Sequence, residues 1–369
     1  MIRNTSTKIT GKSLRKQIRK AARTKPEKQN FIWIPSGSKM FNLASSGKQK
    51  GAYRSGSMIN LIGDSSSGKS ILVLSGLAEV AANPKFKDYR LIYDDAEHAD
   101  SFDHKKLFGT NFDKRLEGPS KEKDKFSTTI EEFFDYIMDA FDAKKPFIYV
   151  LDSFDSIDSD AEIEKELKNR EHRKAGNLSK IKGSFQATKQ KKASQLFRQI
   201  CSKLKRTQSL LIIISQTRDN LDAFSFVKQY RSGGKALKFY ASIEAWLTFI
   251  GNIPKTINKI KYNIGVNTKV KITKNKYTGQ KKETDFPIYS DYGIDDISAC
   301  IDYLCATKYW PNKKGMVNAI EFKQKMPTKK LIQYIEEKEG RDQILFKAAE
   351  KCWNQIEDKL KLNRKKKYE

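Results

Sequence analysis

The chain has 369 residues, with 72 Lys and Arg against 44 Asp and Glu, so its formal net charge is +28. A length of this order accommodates one sizeable core, and so strong an excess of one sign predicts a polyanionic partner, with nucleic acid ahead of an anionic membrane surface. No apolar run is long enough to span a membrane, and the cysteines and histidines lack metal-ligand spacing. These features argue against a membrane partner, a zinc site or a disulfide framework, and they favour a cytoplasmic protein.

Residues 1–30 form a basic N-terminal segment in which Leu14, Ile18 and Ala21 recur at helical spacing. This narrow apolar stripe predicts a helix that either packs on its own domain or acts as an oligomerisation arm on a neighbouring subunit. We expect a core domain over residues 31–294 after this arm. A small, mostly helical C-terminal domain with a basic tail then covers residues 295–369.

From residue 57 to about residue 290, apolar strands alternate with amphipathic helices, which predicts an α/β fold with a mainly parallel central sheet covered on both faces. The predicted strands cover residues 58–63, 90–94, 147–151 and 210–214, and the predicted helices cover residues 69–82, 128–141 and 193–205. Residues 243–249 and 269–274 alternate more clearly, which predicts antiparallel edge strands, joined by a loop that contains residues 251–265.

Two long stretches, residues 165–192 and 219–234, lack a regular apolar pattern. Loops of that length inside a compact domain are usually functional or disordered. We predict irregular structure for both.

A complete phosphate-binding loop follows the first predicted strand directly. Its residues are Gly63, Asp64, Ser65, Ser66, Ser67, Gly68, Lys69 and Ser70. A buried strand that delivers such a loop to a helix N-terminus predicts a nucleoside triphosphate site, with Lys69 on the β and γ phosphates and Ser70 on Mg²⁺. Asp152, at the end of an apolar strand, is the predicted second magnesium ligand, and a turn or helix-capping role is the alternative.

A second acidic residue, Glu97, lies just beyond the strand over residues 90–94, which we expect to neighbour the phosphate-loop strand. Ligands of open α/β sheets bind at the carboxyl ends of the strands. Glu97 is therefore the predicted base that orients and deprotonates a water attacking the γ-phosphate, and a solvated loop acid is the alternative.

Five segments together resemble the RecA family of DNA recombinases in order and approximate spacing. They cover residues 63–70, 95–99, 215–218, 233–242 and 274–276, and the Gly-Gly-Lys-Ala-Leu-Lys-Phe-Tyr-Ala-Ser run of residues 233–242 is the most specific of them. The resemblance extends from about residue 31 to residue 296. The small size and the long basic insertion look more like a phage-encoded member of the family than the bacterial housekeeping protein.

The resemblance implies roles for three polar residues outside the phosphate loop. Gln216 looks like the sensor that contacts the γ-phosphate and reports it to a DNA-binding loop, with a plain strand-end residue as the alternative. Lys274 and Lys276 resemble a lysine pair that reaches a neighbouring subunit's nucleotide, with outward-facing edge-strand lysines as the alternative.

Where relatives stack a tyrosine on adenine, this chain has a shortened segment. Asp100 and Phe102 are its expected nucleotide contacts, and His104 is the alternative to Phe102 as the stacking residue.

The resemblance also implies two DNA-binding loops that correspond to the two irregular stretches. The first contains Arg170, Arg173, Lys174, Lys180, Lys182 and Phe185, and the second contains Arg218, Phe224, Phe226, Lys228, Arg231, Gly233 and Gly234. Cationic residues would contact phosphates and aromatic residues would stack on or wedge between bases. For any single lysine a solvated surface position is an equal alternative.

Taken with the residues, the resemblance implies an ATP- and Mg²⁺-dependent recombinase that polymerises on single-stranded DNA and exchanges the strand into a duplex. Its expected partners are single- and double-stranded DNA, further copies of the chain, and a single-strand-binding protein or loader. A ring-forming helicase on the same core fold is the first alternative. A DNA-binding scaffold with a vestigial nucleotide site is the second.

Overall fold

A computed structural model of the chain describes residues 31–122, 124–177, 179, 187–219, 229–231 and 234–365. The chain divides into two units, Met1–Ile32 and Trp33–Glu369. The predicted N-terminal arm falls in the first unit, and its residues 1–30 lie outside the described residues.

The strands and helices follow one another in the alternation that the sequence predicts. The strands are β1 (Trp33–Ile34), β2 (Tyr53–Arg54), β3 (Ser57–Gly63), β4 (Arg90–Asp95), β5 (Leu116–Glu117), β6 (Phe147–Asp152), β7 (Leu210–Ser215), β8 (Thr217–Asp219), β9 (Gln229–Arg231), β10 (Ile243–Ile257), β11 (Ile260–Asn275), β12 (Glu283–Tyr289), β13 (Gly293–Ile294), β14 (Asn312–Lys313), β15 (Met316–Ala319) and β16 (Gln324–Pro327). The helices are α1 (Lys39–Ser46), α2 (Lys69–Ala82), α3 (His104–Phe108), α4 (Thr110–Arg115), α5 (Ile130–Asp142), α6 (Asp160–Lys174), α7 (Ala187–Thr207), α8 (Gly234–Tyr240), α9 (Asp296–Ala306), α10 (Thr328–Glu336) and α11 (Arg341–Leu360).

Nine of the described strands form one large sheet in the order β13-β12-β11-β10-β3-β7-β6-β4-β5. Neighbours from β10 to β5 pair in parallel, whereas the β10–β11, β11–β12 and β12–β13 pairs are antiparallel. The predicted fold class, a mainly parallel sheet with antiparallel strands at one edge, is confirmed. Three of the central strands, β3, β6 and β7, are buried along their whole length, which accounts for their unbroken apolar sequences.

Helices α5, α7 and α8 cover one face of the sheet with a continuous apolar cluster. The stripe of α7 that enters this cluster is Ala193, Phe197, Ile200 and Leu204, at the predicted helical spacing. The last residues of the parallel strands lie in register at one edge, because Ile62 of β3 pairs with Ser215 of β7 and Asp95 of β4 pairs with Asp152 of β6. The chemistry-bearing segments leave the sheet at this edge.

The predicted loop through residues 251–265 is wrong. β10 and β11 continue as a long hairpin that turns at Asn258 and Lys259, both with positive φ, immediately beyond the Ile257–Ile260 pair. Most of the side chains near the tip are exposed on both strands, so no alternation marks them as strand residues. Gly251 and Gly265 lie inside strands, and Gly251 stands at a register shift of the hairpin.

The predicted irregular stretch over residues 165–192 is also largely wrong. Residues 165–174 belong to α6, which starts at a capping box between Ser159 and Glu162, and α7 begins as early as Ala187. The sequence did not predict α6 as a helix because polar side chains cover nearly its whole surface. The buried residue of the helix, Asn169, is itself polar.

The predicted second loop over residues 219–234 is shorter than expected. Asp219 closes β8, β9 pairs with β8 in an antiparallel ladder, and α8 starts at Gly234.

In the C-terminal region, a three-stranded antiparallel sheet, β14-β15-β16, accompanies helices α9 to α11 and was not predicted. Across the described ranges, the helices are all too short or too polar to cross a bilayer.

Candidate nucleotide and DNA-binding site

The phosphate loop runs from the end of β3 into the first turn of α2. Gly68 caps α2 in the left-handed conformation, with φ of 86°, and brings no side chain to the first-turn N–H groups. Added Cβ atoms at Gly63 and Gly68 would lie 2.4 Å from the carbonyl oxygen of Leu247 and from Cδ1 of Ile288, respectively. The loop is therefore packed against β10 and β12, and its amide groups and helix N-terminus form an anion-binding cradle that fits a polyphosphate.

Lys69 lies inside this cradle. Its Nζ donates to the carbonyl oxygen of Asp64 at 2.7 Å, and burial lowers the pKa of the lysine, an effect opposed by the carboxylates of Asp152 and Glu97. The ammonium group thus folds back over the loop at the position where phosphates would bind.

The two predicted magnesium ligands are in direct contact. The Ser70 hydroxyl donates to Oδ2 of Asp152 at 2.6 Å, and the Tyr93 hydroxyl donates to the same oxygen at 2.7 Å. Burial raises the pKa of Asp152, and the hydrogen bonds from Ser70 and Tyr93 oppose that rise. A hydroxyl and a carboxylate are the hard oxygen donors that suit Mg²⁺.

Glu97 sits beside Asp152, although its strand lies farther from the phosphate loop than predicted. β4 is separated from β3 by β7 and β6, so the expectation of adjacent strands is wrong. The Glu97 N–H donates to the Asp152 carbonyl oxygen at 3.1 Å, and the Asp95 carboxylate holds the loop by accepting from the N–H groups of Ala99 and Asp100. The loop therefore returns Glu97 along the sheet edge toward the phosphate loop.

The Glu97 carboxylate links two further segments. Its Oε1 accepts a hydrogen bond from the Gln216 amide at 2.7 Å and another from the Ser153 hydroxyl. The backbone N–H of Gln216 in turn donates to the Asp155 carboxylate at 2.7 Å. The predicted base and the predicted sensor are thus bonded to each other.

The expected adenine contacts occupy the loop before α3. The Asp100 carboxylate is paired with the His104 ring at 2.8 Å, which raises the pKa of His104. His104 also packs edge-on against Phe112, whereas Phe102 is 37% exposed. Of the three side chains, Phe102 is the more accessible to a base.

Lys274 and Lys276 both contact the C-terminal end of α8. Lys274 Nζ donates to the carbonyls of Lys238 and Phe239, and Lys276 Nζ donates to those of Phe239 and Tyr240. Cations at the carbonyl end of a helix interact favourably with its dipole. The end of β11 lies beside the first residues of β10, at the opposite end of the parallel strands from the phosphate loop. Both side chains therefore connect this end of the sheet to the helix that follows the second predicted DNA loop.

The predicted DNA-binding residues are only partly within the described residues. Arg170, Arg173 and Lys174 are exposed on α6, and Arg173 pairs with Glu166. Gly234 opens α8, and an added Cβ there would lie 2.6 Å from the Gln190 side chain. Arg218 lies in β8 and Arg231 in β9. Lys180, Lys182, Phe185, Phe224, Phe226, Lys228 and Gly233 lie outside the described residues.

Sequence reasoning missed three residues that organise the site: Tyr93, Ser153 and Asp155. Their one sequence signal is position, because Tyr93 lies in the strand that precedes Glu97 and the other two lie within three residues after Asp152. Polar residues at strand ends are also common turn residues, so that position alone assigns no contact.

Comparisons of the sequence with known proteins identify a family. Residues 7–295 match the family model described as the RecA N-terminal domain. Similar proteins include Protein RecA of Colwellia psychrerythraea, 28% identical over 68% of this chain, and Protein RecA of Chlamydia trachomatis serovar L2 and of Chlamydia muridarum, each 29% identical over 72% of it. The matches cover 65% of the Colwellia protein and 67% of the two chlamydial proteins, so the chain spans about two thirds of the length of these relatives.

Proposed function

Because the chain belongs to the RecA family, we propose that it is an ATP-dependent DNA recombinase. In this proposal it assembles as a helical filament on single-stranded DNA, pairs that strand with a homologous duplex and exchanges it. ATP binding favours the DNA-gripping state and hydrolysis releases it, so the nucleotide acts as a conformational switch.

The hydrogen bond between Gln216 and Glu97 is the observation that supports this proposal most directly. Glu97 lies beside Asp152, a predicted magnesium ligand. Gln216 immediately precedes β8, which forms one side of the base of the second predicted DNA loop. A single side chain thus connects the group expected to activate water with the segment expected to bind DNA. If Gln216 turned its amide toward the γ-phosphate of ATP and left Glu97, the carboxylate would be free to orient water.

The other residues at the sheet edge fit the binding of ATP with Mg²⁺. The phosphate-loop amides and Lys69 would hold the phosphates, and Ser70 and Asp152 would hold the metal. Bound magnesium would neutralise part of the phosphate charge. We also propose that Phe102 stacks on adenine and that Lys274 and Lys276 approach the nucleotide of a neighbouring subunit.

The DNA partner is supported by the charge of the chain. A net charge of +28 and the exposed basic residues of α6 predict affinity for the phosphate backbone that falls steeply as salt rises. We propose single-stranded DNA as the primary ligand and duplex DNA as the second, with a single-strand-binding protein or loader as an assisting partner.

ATP turnover with and without single-stranded DNA tests the catalytic part of this proposal. Glu97→Gln keeps the size of the side chain and one acceptor oxygen but removes its basicity, so DNA-stimulated turnover should fall by about 10²- to 10⁴-fold. Glu122→Gln, at an exposed glutamate paired with Lys125, is the matched control and should turn over like the wild type. Equal rates for Glu97→Gln and the wild type would instead favour a scaffold with a vestigial site.

Electron microscopy with ATP, Mg²⁺ and single-stranded DNA tests the assembly. Filaments that require all three components are the expected result. Closed rings would contradict the recombinase proposal and favour a helicase.

A further inference from the structure

Lys189, in the first turns of α7, is bound to the segment that follows the predicted magnesium ligand Asp152. Its Nζ donates to the carbonyl oxygen of Phe154 at 2.7 Å and to that of Ile157, and it lies 4.5 Å from the centroid of the Phe154 ring. An ammonium group that meets two carbonyls and an aromatic face is held in a defined position.

The two carbonyls belong to the segment that contains the residues bound to the predicted base and sensor. Asp155 lies between them and accepts from the Gln216 N–H, and Ser153, directly before Phe154, donates to Glu97. A shift of this segment would therefore move partners of both Glu97 and Gln216.

The segment also contacts the sheet, the middle of α7 and the residues that precede α5. Phe154 is fully buried, its N–H donates to the carbonyl oxygen of Ile214 in β7 at 2.9 Å, and its ring packs against Phe197. Asp158 is joined to the backbone of Thr128. In addition to these contacts, the hydrogen bonds of Lys189 connect the segment to the start of α7.

The start of α7 also lies beside the start of α8, and these are the helices that follow the two predicted DNA loops. The first loop leads into α7, and Gln190, next to Lys189, packs against Gly234, where the second loop leads into α8. A displacement of this turn on DNA binding would be carried by the Lys189 ammonium to the carbonyls on either side of Asp155.

We propose that Lys189 is a positioning residue that couples DNA contact at the first loop to the geometry of Glu97 and Gln216. This inference rests on the proposed function, because it requires that DNA stimulate ATP turnover. Hydrogen bonds lose strength steeply with small errors in distance and angle, so a small movement of the helix start is sufficient to change the alignment of the base.

Lys189→Met tests the coupling, because it keeps the long side chain and removes the donors. The initial rate of ATP hydrolysis is measured against ATP concentration, with and without poly(dT), and poly(dT) affinity is measured by fluorescence anisotropy. We expect the stimulation of kcat by DNA to fall by about tenfold, with the KM for ATP and the affinity for poly(dT) unchanged. Lys189→Arg should restore most of the stimulation, since guanidinium can donate to both carbonyls.

Lys205→Met is the matched control. Lys205 is exposed on the same helix, about 24 Å farther along its axis at 1.5 Å per residue, and its substitution should leave the stimulation intact. If Lys189→Met loses cooperative thermal unfolding, Lys189→Gln, a polar side chain that is uncharged and one bond too short to place its nitrogen at the position of the ammonium, takes its place in the same comparison.

Three results would overturn the inference: an unchanged stimulation ratio, equal losses with and without DNA, or a parallel loss of poly(dT) affinity. The second would mark Lys189 as a general support of the site, and the third would mark it as a phosphate contact. A wild-type protein whose turnover is indifferent to poly(dT) would contradict the proposed function itself, which separates the two failures.

Discussion

Replacing Tyr93 by Phe isolates one contact of the proposed magnesium site. The change removes only the hydroxyl that donates to Oδ2 of Asp152 at 2.7 Å, while the buried ring and its packing remain. The Ser70 hydroxyl, which donates to the same oxygen, is untouched. Any effect on metal dependence therefore reports how the tyrosine orients and supports the carboxylate.

The expected size of the effect follows from the burial of both partners. A hydrogen bond to a charged group contributes about 1.5 to 3 kcal/mol, and the loss of a hydrogen bond that orients a metal ligand typically weakens metal affinity by about 10- to 100-fold. We expect the Mg²⁺ concentration at half-maximal ATP turnover to rise within that range for Tyr93→Phe. Maximal turnover at saturating Mg²⁺ should change much less.

Tyr89→Phe is the matched control. Tyr89 is also buried and is four residues away, but its hydroxyl donates to the carbonyl oxygen of Gln208, away from the metal ligands. The assay is a Mg²⁺ titration of ATP turnover at fixed ATP for the two variants and the wild type. If Tyr93→Phe follows the wild-type curve, or if Tyr89→Phe is displaced equally, the assignment of Asp152 as a ligand supported by Tyr93 is refuted.

Two further predictions concern charges away from the phosphate loop. Lys274→Ala should spare nucleotide binding by a single protomer but weaken ATP-dependent assembly, measured by light scattering against the exposed-site control Lys281→Ala; unaltered assembly would remove the case for a site shared between subunits. Burial raises the pKa of Asp296 from 3.8 to about 7, opposed mainly by Lys39, so the fold favours the protonated acid and stability falls as pH rises through this interval. The free energy of unfolding of Asp296→Asn should rise relative to the wild type by about 2 to 3 kcal/mol from pH 5 to pH 8, because the slope of about 1.4 kcal/mol per pH unit applies only below the pKa of about 7. Urea-unfolding free energies of the two proteins that change in parallel with pH would contradict this.

The central strands could be predicted because each is buried on both faces and is therefore apolar throughout. β3, β6 and β7 were expected within one residue of their observed ends, and α2 was expected at its observed bounds. Here local sequence and tertiary environment give the same signal.

The hairpin tip of β10 and β11 and the helix α6 were missed for the opposite reason. Both are exposed on nearly every side. Neither sequence therefore has the apolar repeat that burial of one face imposes, every two residues in a strand and every 3.6 residues in a helix. The capping box at Ser159 and Glu162 and the Asn258–Lys259 turn were local signals for these elements, but weak ones without a neighbouring apolar pattern.

The candidate site likewise has a part that the sequence predicts and a part that it does not. The phosphate loop is one continuous segment whose chemistry follows from its sequence, so its placement could be predicted. The contacts of Glu97 with Ser153 and Gln216 join three segments that meet only because β4, β6 and β7 end at the same edge. Such contacts depend on strand order, and the sequence pattern does not contain strand order.

The strand order has a consequence for the second predicted DNA loop. One end of the loop is connected through β8 to Gln216, which is bonded to Glu97 of the same chain. The other end leads into α8, whose last carbonyls are held by Lys274 and Lys276. If those lysines leave α8 to approach the nucleotide of a neighbouring subunit, as we propose, the helix end loses two cationic contacts while Gln216 responds to the chain's own nucleotide. DNA bound to this loop would then respond to two nucleotides at once, so ATP hydrolysis along a filament should be cooperative between adjacent subunits.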